Sequence, residues 1–112
     1  MIVTIKIKNQ TWKIEEIDNH EFNDVDSDAT LYFGQSNAMK QTIYINKNSS
    51  DEQKRQTLIH ELTHAFMHVY GFGSITEQIP VEIMCDFIGC YGDEIISIAN
   101  MYCLETGLKK IK

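Results

Sequence analysis

The run His60-Glu61-Leu62-Thr63-His64 sets two imidazoles four residues apart, with a carboxylate between them. On a helix, four residues advance the chain by about 6 Å and turn it by about 40°, so both rings can reach one ion at about 2.0 to 2.1 Å. Glu61 lies one residue round from His60, where it can stand beside a metal without ligating it and hydrogen-bond a water. The chemistry such a set performs is water activation: a divalent cation makes water acidic, and the carboxylate takes its proton as the water attacks a polarised carbonyl. The alternative is a polar helix face. With His60 as origin of a helical wheel, His64 falls near 40° and His68 near 80°, whereas Leu58, Leu62, Ala65 and Val69 cluster at about 140° to 200°. The imidazoles stay off the main apolar stripe, and a chelate accounts for the pattern better than core packing.

Two imidazoles leave a metal under-coordinated, since catalytic zinc takes three protein ligands and keeps one position open. His68 sits about 12 Å along the axis from His60, too far to share the ion with both upstream rings. Tyr70 stands where a three-histidine version of the motif needs a third His. Glu82 and Asp86 are four apart on the next expected helix, so their carboxylates share a face that can close over the histidine pair. Glu82 is the expected third ligand, and Asp86 is placed to accept the other ring N–H of a ligating His. Glu77 and Asp86 are the alternative ligands, and two solvated surface acids are the bland one. Five of the residues from Val81 to Ile88 are apolar, which argues against exposure of that segment. Cys85 and Cys90 are expected to pack instead of binding metal. The N/O donor set suits zinc, and manganese, cobalt or nickel fit it as well.

At these residues the chain resembles the gluzincin metallopeptidases, in which His-Glu-x-x-His is followed on the next helix by Glu-x-x-x-Asp. Here that second element is Glu82-Ile-Met-Cys-Asp86, 18 residues after His64. Within that group it is most similar to the ImmA/IrrE-type peptidases, with Cys85 where these usually carry alanine and Ile88 where they carry phenylalanine. The resemblance spans roughly residues 49 to 90. It implies a small zincin-like α+β fold, a zinc-dependent metalloendopeptidase with Glu61 as general base, and a cytoplasmic protein that cuts a regulatory protein of a mobile element. The rival class is a non-catalytic or self-inhibited zinc-binding interaction module. A closed shell of four protein ligands, or a C-terminal helix that fills its own cleft, would mark it.

The elements that must position these groups are legible from periodicity. Residues 2 to 8 and 11 to 17 alternate apolar and polar as strands, with Asn9-Gln10 as the turn between them. Ala29 to Phe33 and Gln41 to Asn46 are rich in β-branched and aromatic residues, and Gly34-Gln-Ser-Asn37 between them carries turn chemistry. A sheet of three or four mostly antiparallel strands therefore precedes the helices, with residues 41 to 46 as the edge strand against which an extended peptide can lie. Ser49-Ser-Asp-Glu52 offers a capping box for a helix running to about Tyr70, where Gly71-Phe72-Gly73 supplies left-handed geometry. A second helix is expected from Thr76 to Pro80 onward. Gly89 and Gly92 weaken it, with a kink or restart at Asp93 and an end near Leu104.

The 112 residues, 43% of them hydrophobic, fit one domain spanning 1–112 with a single core. Ten basic against 16 acidic residues give a net charge of −6, and seven of the acids fall between Glu15 and Asp28 with no Lys or Arg among them. That balance repels phosphate backbones and argues against a nucleic-acid partner; a protein or peptide is expected. The alternating N-terminus reads as a strand and not as a signal peptide, and no apolar run is long enough to span a bilayer. Three cysteines in apolar surroundings suit buried, reduced thiols in the cytoplasm.

Overall fold

The alternation of Ile2 to Ile7 and Gln10 to Ile17 becomes a β-hairpin, β1 (Ile2–Ile7) and β2 (Gln10–Ile17), in a computed structural model that describes residues 2–18, 21–22, 33–72 and 79–108. The turn falls one residue earlier than expected, at Lys8-Asn9, with Lys8 at φ 59° and Ile7 already paired with Gln10. Two further strands, β3 (Gly34–Asn37) and β4 (Thr42–Asn46), pair antiparallel. β4 also runs parallel to β2, giving a four-stranded mixed sheet in the order β1-β2-β4-β3.

Two expectations are corrected here. Gly34 to Asn37 is a strand and not the turn; the turn lies at residues 38–41, where Lys40 N donates to Asn37 Oδ1 at 3.0 Å and Gln41 takes φ 49°. Of the expected strand Ala29 to Phe33, residues 29–32 lie outside the described residues, and Phe33 precedes β3. Residues 42–46, expected at the edge, are internal, flanked by β2 and β3, and Thr42, Ile43, Ile45 and Asn46 are buried, as befits a strand covered on both faces. β3 is an edge strand and lies against α1.

Paired residues share a face, so the register carries one apolar surface across the sheet: Val3, Ile5 and Ile7 on β1, Trp12 and Ile14 on β2, Ile43 and Ile45 on β4, and at the edge Ser36 and Gly34. That face is covered by α1 (Asp51–Val69), which sets Leu58, Leu62, Ala65 and Phe66 into the core. The helix begins where its free amides find a partner. Ser50 is the N-cap and its hydroxyl accepts from Gln53 N at 3.1 Å, one residue later than the box built on Ser49. It ends in a Schellman arrangement, with Gly71 at φ 75° and Phe72 N donating to Met67 O at 2.9 Å.

The second helix, α2 (Val81–Thr106), is one unbroken run of 26 residues with Pro80 as its N-cap, so it begins after the proline and does not restart at Asp93. A glycine in a helix costs about 1 kcal/mol against alanine. Around Gly89 and Gly92 that cost is offset by an aromatic cluster in which Phe87 and Tyr91 meet Phe66, Tyr70 and Phe72, with Tyr70 and Tyr91 stacked at 4.2 Å between centroids. Further along, Ile95, Ala99 and Tyr102 close the core.

Candidate metal centre

α1 presents His60 to solvent and His64 half-buried, on the side of the helix turned away from Leu58 and Leu62. Their Nε2 atoms approach to 3.2 Å, and the rings meet edge-on with centroids 4.8 Å apart at 79°. Two nitrogens that each lie about 2.0 to 2.1 Å from one tetrahedrally bound ion are themselves about 3.3 to 3.4 Å apart. The separation of the pair thus matches the bite of a zinc chelate.

Glu61 differs from the two histidines in being buried, at 8% exposure, because β3 lies against that side of α1. The approach is close enough to require a glycine: a Cβ on Gly34 would stand 2.4 Å from Thr57 Cγ2, 2.9 Å from Tyr44 O and 3.3 Å from Glu61 Cγ. Two residues on, Ser36 Oγ lies 2.9 Å from the Glu61 carbonyl oxygen and 2.9 Å from its Oε1. Ser36 went unrecognised in the sequence, where it sits in a Gly-Gln-Ser-Asn run whose composition signals a turn; no feature of that run marks it as a strand.

The structure brings the His60 and His64 rings together and ties the Glu61 carboxylate to Ser36. Glu82 and Asp86 are exposed on the first turns of α2, and among the described residues no group of three or more His, Cys, Asp or Glu side chains converges as a metal cluster. Glu77 lies outside the described residues. The expectation that the apolar segment 81 to 88 is buried is corrected: Phe87 alone is buried there, and Val81 (76%), Ile83 and Ile88 are exposed, because the aromatic cluster holds the helix by the Phe87 side. Cys85 and Cys90 are likewise exposed, and only Cys103 is buried; all three are free. His68 is exposed on the last turn of α1. Tyr70 is held in the aromatic cluster, where desolvation first, then the nearby Glu94 charge and Tyr91, raise its pKa above the ordinary phenol value.

Residues 17–83 match the family model of the IrrE N-terminal-like domain, a peptidase family. The chain belongs to this family. The match covers more than half of the chain, takes in the His60–His64 motif and Glu82, and stops before Asp86. No curated protein and no solved structure gives a significant match. Membership makes the domain metallopeptidase-like, in agreement with the α+β architecture and with the residues gathered on α1. Among the described residues no helix is long and apolar enough to cross a membrane.

Proposed function

We propose that this domain is a zinc-dependent metalloendopeptidase that hydrolyses peptide bonds, with His60, His64 and Glu82 as metal ligands, Glu61 as general base and Asp86 as the carboxylate that orients a ligating imidazole. The observation that carries the reading is the 3.2 Å approach of the two Nε2 atoms, on a helix whose intervening Glu61 is buried. Glu82 is taken as the third ligand because it is the first carboxylate of the helix that follows the histidine motif, and it lies within the family match. A zinc ion on these ligands supplies the Lewis acidity that polarises a carbonyl and makes water acidic near neutral pH. Glu61 takes the proton from the attacking water and passes it to the departing amine, so the carboxylate ends the cycle as it began.

Substrate binding follows from the strand order. The outer side of β3 has no strand partner among the described residues. Asn46 N donates to Phe33 O at 2.8 Å. The alternation of an antiparallel ladder then turns the main-chain N–H and C=O groups of Gly34 and Ser36 toward the open side. An extended peptide can add there as a further strand, alongside the helix side that carries His60 and His64. The exposure of His60 supports an open site over one filled by the chain's own C-terminal helix. A cytoplasmic regulatory protein of a mobile element is the substrate class proposed.

Glu61→Gln is the direct test. The variant should take up metal as the parent chain does, while turnover of a quenched-fluorescent peptide library falls by roughly 10²- to 10⁴-fold. Full peptidase activity in that variant would show that another group is the base.

A further inference from the structure

The bond between Ser36 and Glu61 gives the edge strand a second task. We infer that Ser36 is a positioning residue for the general base: its main chain faces the open edge of β3, and its side chain fixes the Glu61 carboxylate on the helix that carries the histidine pair. This inference rests on the metallopeptidase reading and goes beyond it by assigning a residue outside the His-Glu-x-x-His motif.

The geometry is specific. Ser36 Oγ carries one proton and stands 2.9 Å from two acceptors of the same residue, the Glu61 carbonyl oxygen and Oε1. A hydroxyl shared in this way ties the end of the Glu61 side chain to the position of its own backbone and restrains torsions that a glutamate otherwise samples freely. Oε1 is the engaged oxygen, so Oε2 is left to work on the attacking water. A hydrogen bond to an ionised carboxylate is among the stronger kinds in proteins. The contact spans 25 residues of sequence and depends on β3 lying close against α1, which the bare Cα of Gly34 permits. A peptide hydrogen-bonded to the main chain of Ser36 would therefore be held by the same residue that aims the base, so the distance between scissile bond and carboxylate is set within one short strand. Misplacing a catalytic group by about 1 Å can cost on the order of 100-fold in rate.

The experiment uses the full chain as wild type, Ser36→Ala, Ser36→Thr and Glu61→Gln. With the quenched-fluorescent peptide library as substrate, Ser36→Ala should lower kcat roughly tenfold or more while KM changes by less than about twofold. Zinc content should be unchanged, and Ser36→Thr, which keeps the hydroxyl, should restore most of kcat. A loss explained by general destabilisation would instead reduce zinc content or fail to be rescued by threonine, and either result overturns the assignment. In metal-free protein carrying ¹³C-labelled glutamate, the Cδ resonance of Glu61, recognised by its disappearance in Glu61→Gln, should shift in Ser36→Ala and return toward the wild-type position in Ser36→Thr. An unmoved resonance overturns the assignment whatever the activity. A wild type that turns over the library while Ser36→Ala matches it also overturns the assignment, and leaves the peptidase reading standing. A wild type that binds zinc and cuts nothing overturns both.

Discussion

Gly34 is the residue whose replacement tests the site's construction most sharply, because its neighbours are of two kinds. A Cβ there would meet Thr57 Cγ2 at 2.4 Å, a side-chain methyl that can be removed, and Tyr44 O at 2.9 Å, a main-chain atom of the adjoining strand that cannot. Overpacking of this sort costs about 1 to 3 kcal/mol. Gly34→Ala should lower unfolding stability by that amount in a urea titration at constant m-value, and adding Thr57→Ser should recover part of the loss but not all. Equal stability of Gly34→Ala and wild type would mean that β3 does not approach α1 as described. At this scale the approach of the two imidazoles on α1 was legible from spacing alone, since His60 and His64 are local to one helix. Glu82 and Asp86 depend on how a second helix approaches the first, which spacing within one helix does not determine. Ser36 was illegible because its role is set by a partner 25 residues away.

Elements were legible where one face of a regular period is buried and illegible where tertiary contact decides. β1, β2 and α1 each carry their own periodic signal, and all three form within a residue or two of the expected bounds. β3 has no such signal: Gly34-Gln-Ser-Asn37 has low strand preference and is held extended by its ladder with β4 and by its contact with α1. α2 shows the opposite override. Its glycines suggest a break, yet Phe87, Tyr91 and Ile95 lie on one side of a continuous helix and anchor it through both. β4, expected at the edge, is internal because it pairs with both β2 and β3, a tertiary arrangement that its own residues do not encode.

At the scale of the whole molecule, one polar link ties sheet to both helices. Glu16 projects from β2 onto the helix-covered face, accepts from the Tyr102 hydroxyl of α2 at 2.6 Å and pairs with Lys54 of α1 at 2.9 Å. Desolvation first, then the hydrogen bond and negative charge of Glu16, push the Tyr102 pKa well above its ordinary value. The fold therefore favours the neutral phenol. An unfolded chain loses that proton near pH 10, so the stabilisation is fully present below about pH 10 and declines as pH rises above it. Chemical denaturation at stepped alkaline pH should show this decline in wild type and a flatter dependence in Tyr102→Phe. The variant should also lose about 1.5 to 3 kcal/mol at neutral pH with the hydrogen bond to Glu16. An identical alkaline slope in the two proteins would exclude Tyr102 as its source.

Everything proposed for catalysis requires that the converging imidazoles of α1 hold a cation. The most direct measurement is metal content by mass spectrometry on protein purified without added ions, for wild type and His60→Ala side by side. The account predicts close to one equivalent of a divalent transition metal in wild type and its loss in the variant, with both proteins folded. A folded wild type without metal, or a His60→Ala protein that retains a full equivalent, would contradict it.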